Sequence, residues 1–464
     1  METMTRIVII GGGPGGYEAA LVAAQLGAQV TVVDRDGLGG GCVLTDCVPS
    51  KTLIATSEMM GMLEDSPSLG VRFTGGPDRQ TGGVAADMAT VNPRVKGLAS
   101  AQSEDVEARL QAAGVEVVRG AAELTGSDTV RVGDREIPAD AMLIATGGHP
   151  RVLPDAEPDG ERILTWRQMY DLQELPEELI VVGSGVTGAE FANAYQALGS
   201  RVTLVSSRDR VLPHEDADAA AVMEDVFARR GMHIAGRSRA AAVHNTGNGV
   251  VVTLTDGRTV AGTHCLLAVG VVPSTRDLGL EKAGVRLDEG GFIEVDRVSR
   301  TSAPNIYAAG DCTGVMMLAS VAGMQGRIAM WHLLGEAVQP LRQSSIAATV
   351  FTHPEISTVG VPQRSIDEGE VAAREVRLDL AANPRAKMGD VRDGFVKLFC
   401  RPGTGIVLRG VVVAPRASEL ILPVSLAVQH SLTVDQLAHT LAVYPSMSGS
   451  VTEAARQIMV PSAY

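Results

Sequence analysis

Two glycine-rich turns, each placed between an apolar strand and a helix, restrict the fold of this chain more than any other feature. The first is Gly11-Gly-Gly13-Pro-Gly-Gly16, and the second is Gly183-Ser-Gly185-Val-Thr-Gly188. Glycines permit such tight turns and let the backbone approach a pyrophosphate, while the N-terminus of the following helix attracts negative charge. The sequence therefore predicts two dinucleotide-binding βαβ units in one chain.

The first unit consists of the apolar run Arg6–Ile10, a helix over Tyr17–Leu26 and the strand Gln29–Val33. Uninterrupted apolar strands are typical of a parallel sheet that is buried on both faces. Asp34 follows the second strand, where its carboxylate can accept hydrogen bonds from ribose hydroxyls. The candidate cofactor-binding residues of this unit are Gly11, Gly13, Gly16 and Asp34.

The second unit has strands at Leu179–Val182 and Arg201–Val205, and it continues into Ser206-Ser-Arg208-Asp209. A carboxylate at the first of these positions would repel a 2′-phosphate, whereas Ser206 and Arg208 can bind one. This pattern predicts that NADPH is accepted as well as NADH. In the alternative interpretation, Arg208 is a solvated cation and Asp209 binds the ribose. The candidate residues of this unit are Gly183, Gly185, Gly188, Ser206 and Arg208.

Two further strand-like runs end in short turns, one at Thr146-Gly147 and the other at Gly310-Asp311. Asp311 can accept a hydrogen bond from a sugar or ribityl hydroxyl, although such an aspartate alone is more often a helix cap. Two dinucleotide sites in one chain favour a tightly bound flavin together with an exchangeable nicotinamide.

Cys42 and Cys47 follow the first turn, in Cys42-Val-Leu-Thr-Asp-Cys47-Val-Pro-Ser-Lys51. Two thiols beside a flavin are a candidate relay for electrons between a nicotinamide and an external acceptor. Such a relay needs a general base for the thiol protons. Near the C-terminus, where one is expected, the sequence reads Tyr444-Pro-Ser-Met-Ser-Gly449.

The order and spacing of these motifs resemble the flavoprotein disulfide reductases, the family of dihydrolipoamide dehydrogenase and glutathione reductase, over nearly the whole chain. The resemblance implies an α/β protein with two Rossmann-like dinucleotide-binding domains and a C-terminal α+β dimerisation domain that forms a homodimer. It implies FAD at the first glycine turn, with Asp311 on the ribityl chain, and NADPH or NADH at the second.

The same resemblance implies roles for the residues around the thiols. Lys51 would lie near the flavin N5 and pair with Glu190. Cys47 would lie beside the flavin and form a charge-transfer complex with it, and Cys42 would be the outer thiol that exchanges with a disulfide substrate.

The domain plan that the resemblance implies divides the chain in four. An FAD-binding part covers residues 1–149, an NAD(P)H-binding domain 150–274, a second FAD-binding or central part 275–342, and an interface domain 343–464. The predicted local elements are a hairpin around Asp256-Gly257, a second hairpin over Phe395–Val413, a helix from Glu419, and a surface loop from Gly75 to Gly83.

The C-terminus departs from the family pattern. Disulfide-reducing members carry His-x-His-Pro-Thr-x-x-Glu there and supply it to the thiols of the partner subunit. This chain has Ala442 and Tyr444 for the histidines and Gly449 for the glutamate. An unperturbed phenol titrates near 10, so Tyr444 is no base at neutral pH; it can pack over the acceptor site or donate a hydrogen bond. Losing a positioned acid–base group costs on the order of 10²–10⁴ in rate.

A quinone-reductase branch of the family resembles this chain in lacking the His–Glu pair. The sequence therefore favours an FAD-dependent NAD(P)H:quinone oxidoreductase. Two alternatives stay open: a dihydrolipoamide dehydrogenase-like or low-molecular-weight-thiol disulfide reductase that uses Cys42 and Cys47, and a non-catalytic flavin redox sensor. Mercuric reductase also has tyrosine at the histidine position, but it uses an additional C-terminal cysteine pair, and the last cysteine here is Cys400.

Composition limits the partners. A formal net charge of −14 argues against a nucleic-acid partner, which would require a basic surface. The sequence shows no apolar run of membrane-spanning length and no signal peptide pattern. Five cysteines in 464 residues do not form a secreted disulfide scaffold, so we expect a cytoplasmic protein. We predict no metal site.

Overall fold

The structure, a computed structural model, describes residues 4–71 and 84–459. The surface loop predicted from Gly75 to Gly83 lies outside the described residues. The strands of the described part, in chain order, are β1 Arg6–Ile10, β2 Gln29–Asp34, β3 Glu116–Arg119, β4 Ala122–Leu124, β5 Thr129–Val132, β6 Arg135–Pro138, β7 Ala141–Ile144, β8 Gly148–Pro150, β9 Ile163–Thr165, β10 Glu178–Val182, β11 Arg201–Val205, β12 His233–Ala235, β13 Ala240–Asn245, β14 Val250–Leu254, β15 Thr259–Gly262, β16 His264–Leu267, β17 Val271–Pro273, β18 Ile306–Ala308, β19 Ala347–Val350, β20 Glu355–Gly360, β21 Arg374–Asp379, β22 Phe395–Cys400 and β23 Val407–Ala414.

Its α-helices are α1 Pro14–Gln25, α2 Gly40–Leu44, α3 Cys47–Asp65, α4 Met88–Ala112, α5 Val186–Leu198, α6 Ala217–Arg229, α7 Ala319–Leu333, α8 Gln363–Asp367, α9 Pro384–Met388, α10 Ala417–Leu420, α11 Leu422–Gln429, α12 Val434–Ala438 and α13 Gly449–Ile458. None of these helices is both long and apolar enough to span a bilayer.

The first βαβ unit belongs to a five-stranded parallel sheet with the spatial order β18-β7-β1-β2-β3. Its central strand β1 is buried on both faces, which explains the uninterrupted apolar run there. β2 and β3 lie on one side of β1, whereas β7 and β18 lie on the other, so the switch point of the sheet is between β1 and β7. In open α/β sheets, ligands bind at such a switch point, beyond the carboxyl ends of the strands.

The second βαβ unit forms another five-stranded parallel sheet, with the order β12-β11-β10-β16-β9. Its switch point lies between β10 and β16. The hairpin predicted around Asp256-Gly257 is confirmed, because β14 and β15 pair in antiparallel fashion across it. Gly257 has φ 87°, a conformation that favours glycine.

The C-terminal part is an antiparallel sheet with the order β19-β20-β23-β22-β21, packed against the C-terminal helices. The hairpin predicted over Phe395–Val413 is confirmed, with Phe395 opposite Val413. The predicted helix from Glu419 is wrong in its bounds. The helical segment begins at Ala417 and consists of α10 and α11, and Pro423, which has no N–H to donate, lies in the first turn of α11.

A buried lysine joins the start of α6 to this C-terminal sheet. Lys397 on β22 has its Nζ 3.0 Å from Asp216 and 2.6 Å from Asp218, and its side chain is 6% exposed. Asp216 also caps α6 by accepting hydrogen bonds from the amides of Asp218 and Ala219. Burial opposes the charge of Lys397, but the two aspartates outweigh it and raise the pKa of this lysine.

We expect Lys397→Met to lower the free energy of unfolding by about 3–5 kcal/mol, because it leaves the buried carboxylate of Asp216 without its cation. Urea denaturation followed by circular dichroism measures the effect. Lys387→Met removes the same charge from an exposed position on α9 and serves as the matched control. Equal unfolding midpoints for both variants would show that the buried ion cluster contributes nothing to stability.

Candidate active site

Three parts of the chain meet at a buried ion pair between α3 and α5. Lys51 on α3 donates a hydrogen bond from Nζ to Oε2 of Glu190 on α5, at 2.8 Å. The amide of Phe351, which follows β19, donates to the other carboxylate oxygen at 2.9 Å. The Phe351 ring lies 4.8 Å from Lys51 Nζ, within the range of a cation–π interaction. The pairing predicted for Lys51 and Glu190 is therefore present, and its role in electron transfer stays a prediction.

The environment of Lys51 keeps it charged. Its burial disfavours the cation, but Glu190, followed by Cys47 and Asp46, outweighs this effect and raises the pKa of Lys51. The carboxylate of Glu190 is almost completely buried and has both oxygens satisfied. This arrangement holds a fixed positive charge where α3 and α5 meet.

The two cysteines that the sequence singled out lie together at the start of α3. Cys42 belongs to α2, Cys47 is the first residue of α3, and both thiols are free. A hydrogen bond to Cys47, together with burial, raises the pKa of Cys42. The same hydrogen bond lowers the pKa of Cys47 against the effect of burial, and Lys51 contributes in the same direction. The two thiols therefore differ in acidity, and Cys47 is the more acidic of the pair.

The first glycine turn has one position that packing leaves open. A Cβ at Gly11 would lie 2.2 Å from the carbonyl oxygen of Ala145, and one at Gly16 would lie 1.8 Å from that of Gly11. Packing within the protein therefore excludes any side chain at these two positions. At Gly13 the nearest atom is 3.9 Å away and φ is an ordinary −70°, so a glycine there leaves space for a ligand at the N-terminus of α1.

Asp34 holds the loops around this space. Its Oδ2 accepts a hydrogen bond from the Gly12 amide at 2.6 Å, and its Oδ1 accepts from the amides of Asp36 and Gly37. A carboxylate has about four acceptor positions, so capacity remains for a ribose hydroxyl. The predicted ribose contact of Asp34 is compatible with this geometry.

The turns after β7 and β18 form the opposite wall of the same crevice. Thr146 has its Oγ1 buried, with no hydrogen-bond partner in the described part of the protein. Gly147 and Gly310 have φ values of 68° and 83°, which favour glycine. Burial, followed by the charge of Asp46, raises the pKa of Asp311 to about 6. A buried hydroxyl without a partner and a partly buried carboxyl fit the hydroxyl-rich chain of a flavin dinucleotide.

Gln325, which the sequence did not single out, fixes this wall from α7. Its Oε1 accepts a hydrogen bond from the Gly310 amide at 2.9 Å, and the side chain is 2% exposed. No local pattern distinguishes this glutamine from a polar surface residue on a helix. Only the tertiary contact identifies it.

In the second glycine turn, as in the first, packing requires two of the glycines, and the third leaves space for a ligand. A Cβ at Gly183 would lie 2.2 Å from the carbonyl oxygen of Ala268, and one at Gly188 would lie 1.7 Å from that of Gly183. At Gly185, in contrast, a Cβ would have no neighbouring atom within 4 Å, and the φ of this residue is −73°. The open space at the N-terminus of α5 fits the pyrophosphate of a nicotinamide dinucleotide.

Ser206 and Arg208, the two predicted 2′-phosphate ligands, have different surroundings. Ser206 is fully buried, and its Oγ is 2.7 Å from that of Ser184 and accepts from the Arg208 amide. This serine holds the turn after β11 and does not face solvent. Arg208 is exposed and lines a pocket of about 390 Å³ together with Asp209, Arg210, Pro213 and His214.

The balance of charge in this pocket is positive. Asp209 is its one acidic lining residue, and Oδ1 of this aspartate lies 3.1 Å from Nε of Arg237. Two arginines and a histidine therefore remain to face a bound anion. The pocket fits a phosphate group better than it fits neutral ribose hydroxyls.

Tyr444 lies on a strongly exposed loop. Its side chain is 82% exposed, and Leu441 and Val443 are exposed at 99% and 78%. His439 is the C-cap of α12 and donates from Nδ1 to the carbonyl oxygen of Asp435. Neither Tyr444 nor His439 contacts the thiols of its own chain.

The remaining three cysteines are buried and pack in the core. Cys265 and Cys312 are completely buried in apolar clusters, and burial raises the pKa of both. Cys400 is buried in the C-terminal core. Among the residues that the structure describes, no group of histidine, cysteine and acidic side chains is arranged to hold a metal ion.

Two family models match the chain. Residues 5–326 match the pyridine nucleotide-disulphide oxidoreductase model, and residues 346–455 match the dimerisation domain of the same family. The chain belongs to the pyridine nucleotide-disulphide oxidoreductases. Both predicted features of the fold, the two dinucleotide-binding domains and the C-terminal dimerisation domain, are confirmed by this membership, and its cofactors are FAD and NAD(P)H.

Relatives in this oxidoreductase family are similar over nearly their whole length. The NAD(P)H dehydrogenase (quinone) of Mycobacterium tuberculosis is 57% identical over 98% of this chain and 94% of its own. The dihydrolipoyl dehydrogenase of Chlorobaculum tepidum is 35% identical over 97% of this chain and 96% of its own. The crystal structure of LpdA from M. tuberculosis, 57% identical, superposes with a TM-score of 0.93 over 98% of this chain and 100% of that one.

Proposed function

We propose that this oxidoreductase transfers electrons from NADPH or NADH through FAD to a quinone, as a homodimer. The observation that carries the proposal is a contrast between the two sides of the site. On the side where the nicotinamide would bind, Lys51 and Glu190 form their ion pair. The C-terminal loop that would face the acceptor has no acid–base group at Ala442, Tyr444 or Gly449. The name of the M. tuberculosis relative, NAD(P)H dehydrogenase (quinone), supports the same acceptor.

On the donor side, the protein supplies a fixed positive charge. When bound, FAD accepts two electrons from the nicotinamide and passes them on to the acceptor. The Lys51 cation, held by Glu190 and Phe351, would stabilise negative charge that arrives on the cofactor. Because Glu190 is on the first turns of α5, the same residue links this charge to the helix whose N-terminus would bind the nicotinamide dinucleotide.

On the acceptor side, the residues present disfavour exchange with a disulfide. Exchange needs a thiolate to attack and an acid to protonate the leaving thiol. Ala442, Tyr444 and Gly449 supply no such acid–base group, and the hydrogen bond with Cys47, together with burial, raises the pKa of Cys42 and so disfavours its thiolate. A quinone takes electrons without forming a bond to sulphur, and so it does not require this machinery.

The exposed apolar loop supports the homodimer. Leu441, Val443 and Tyr444 are largely exposed in the single chain and lie inside the segment that matches the dimerisation domain. Apolar side chains exposed in a contiguous group mark an interaction surface. In the proposed dimer, Tyr444 of each subunit packs over the thiol site of the other. We also retain the domain boundaries at 149/150, 274/275 and 342/343, and a cytoplasmic location, which is supported by the small number of cysteines, five in 464 residues.

The proposal is tested by rapid mixing of the holoenzyme, reduced by one equivalent of NADPH, with one acceptor at a time. The acceptors are a naphthoquinone, lipoamide and a low-molecular-weight thiol disulfide. We expect reoxidation by the quinone to be at least about 100-fold faster than by either disulfide. Faster reoxidation by lipoamide would support the disulfide reductase instead, and reoxidation by none of them would support a redox sensor.

The nicotinamide preference should depend on Arg208. We expect Arg208→Glu to lower the ratio of kcat/KM for NADPH to that for NADH about 100-fold, because repulsion replaces a charge-assisted hydrogen bond to the 2′-phosphate. Steady-state rates with one quinone and either nicotinamide measure the ratio. Arg94→Glu makes the same charge change on an exposed face of α4 and is the control. An unchanged ratio in Arg208→Glu would place the 2′-phosphate elsewhere.

A further inference from the structure

The pocket that would take the 2′-phosphate is lined by residues from one continuous segment, 208–214. This segment connects β11 to α6 and ends two residues before Asp216, the N-cap of α6. One of its cations, Arg210, is partly buried, and its guanidinium is bound to the segment itself. Nη2 of Arg210 donates to the backbone carbonyl oxygens of Pro213 and Glu215, each at 3.4 Å. The position of Arg210 in the pocket therefore depends on the backbone that immediately precedes α6.

The conformation of the 208–214 segment requires support from its surroundings. Leu212 is buried and has φ 48°, a left-handed conformation that is unfavourable for a bulky side chain. Its amide donates a hydrogen bond to the carbonyl oxygen of Ser184 at 2.8 Å. The amide of Val211 donates to Oε1 of Glu224 on α6, also at 2.8 Å. These contacts hold the middle of the segment, and its end is held by Asp216.

Asp216 is itself held by the C-terminal sheet. Nζ of Lys397 on β22 lies 3.1 Å from Oδ1 and 3.0 Å from Oδ2 of Asp216, and both side chains are buried. Asp216 belongs to the part of the chain that matches the oxidoreductase model, whereas Lys397 belongs to the part that matches the dimerisation domain. The ion pair thus connects the end of the pocket segment to a distant part of the chain.

Apolar packing also holds α6 against the C-terminal sheet. Side chains from both elements belong to one buried cluster, among them Phe395, Val413, Met223 and Phe227. Apolar contact is not directional, whereas a hydrogen-bonded ion pair fixes the position of the groups that form it. The Asp216 carboxylate also accepts hydrogen bonds from the first turn of α6, so the ion pair fixes the start of this helix and the peptide before it.

We propose that Lys397 is a positioning residue for nicotinamide selectivity: it fixes Asp216 and, through the adjoining Glu215 carbonyl, holds Arg210 in place for the 2′-phosphate. Lys397 is not among the residues that line the pocket, so it acts only through these neighbours. The inference rests on the proposed function, and it names a residue that sets the preference between the two nicotinamides. It gives the C-terminal sheet a part in choosing the electron donor.

The test uses two probes, 2′,5′-ADP, which carries the 2′-phosphate, and 5′-AMP, which lacks it. Isothermal titration calorimetry on the holoenzyme gives both dissociation constants, and the selectivity is the Kd for 5′-AMP divided by that for 2′,5′-ADP. In Lys397→Met we expect the selectivity to fall about tenfold, because Arg210 is no longer held where it can donate a charge-assisted hydrogen bond to the phosphate. The Kd for 5′-AMP and the rate of flavin reduction at saturating NADH should be nearly unchanged.

Two further variants separate positioning from stability. Leu398 is the next residue on β22 and is buried on the opposite face of the strand, among the C-terminal helices. Leu398→Ala should also destabilise the protein, but it should keep the wild-type selectivity. The double substitution Lys397→Met with Asp216→Asn leaves no unpaired buried carboxylate at position 216, and asparagine can still cap α6. Its stability should therefore recover from that of Lys397→Met, while its selectivity stays low.

A wild-type selectivity in Lys397→Met overturns the proposal. An equal loss of selectivity in Leu398→Ala also overturns it, and so does selectivity that returns together with stability in the double variant. If Lys397→Met does not fold, the selectivity of the double variant decides. Equal affinities of the wild-type protein for the two probes contradict both the 2′-phosphate pocket and the role of Lys397. Failure to reduce any quinone contradicts only the proposed acceptor, and the binding measurements still decide on Lys397.

Discussion

The double substitution Tyr444→His with Gly449→Glu should raise disulfide turnover about 100-fold. It restores a base and the carboxylate that orients it on the C-terminal loop, and a positioned acid–base group contributes on the order of 10²–10⁴ in rate. The local structure accepts both changes. Tyr444 is exposed, and a Cβ at Gly449 would lie no closer than 3.6 Å to its nearest neighbour, the hydroxyl of Ser446.

The measurement for this double variant is kcat/KM with lipoamide at several pH values. The gain should follow the titration of the new histidine and be present above its pKa, where the neutral ring can accept a proton. Tyr444→His alone is the matched control, because it lacks the orienting carboxylate and should gain less. No gain in the double variant would mean that the C-terminal loop does not reach the thiols of the partner subunit.

Lys51→Met should reduce the rate at which NADPH reduces the bound flavin by about 10²–10³-fold. The substitution removes a cation held beside the thiols, and loss of a single preorganised charge or donor has effects of this size. It also leaves the buried carboxylate of Glu190 without its partner, which disfavours the assembled site further. Stopped-flow absorbance at the flavin band measures the rate.

The control for Lys51→Met is Lys96→Met, which removes an exposed cation that pairs with Asp171 on the surface. Exposed pairs contribute little, so this variant should reduce flavin at the wild-type rate. Flavin reduction in Lys51→Met within about threefold of wild type would remove Lys51 from the donor site.

The fold was predictable to the extent that short-range pattern determines it. Gly16 and Gly188 are required by close contacts with the backbone oxygens of Gly11 and Gly183, five residues earlier in the chain, so the local glycine pattern predicts them. The buried strands of the parallel sheets were also predictable, because an uninterrupted apolar run is stable only where both faces of the strand are buried. The bounds of the helix near Glu419 were harder to predict, because helix propensity does not show where a proline begins a new helix.

The site was predictable only in part, because several of its contacts form between distant segments. The pairing of Lys51 with Glu190 was implied by family resemblance, but the amide of Phe351 that completes it carries no side-chain signal in the sequence. Ser206 has the residue type of a phosphate ligand, yet its hydroxyl is used inside the turn.

The central claim is that electrons leave the reduced cofactor for a quinone without passing through the thiol pair. The most direct measurement is reoxidation by a naphthoquinone of NADPH-reduced Cys42→Ser holoenzyme, followed by stopped flow. Because the outer thiol is bypassed, we expect a rate within about twofold of wild type, while lipoamide turnover is lost. If Cys42→Ser is reduced normally by NADPH but no longer reoxidised by the quinone, electrons leave through the dithiol, and the mechanism proposed for this oxidoreductase is wrong.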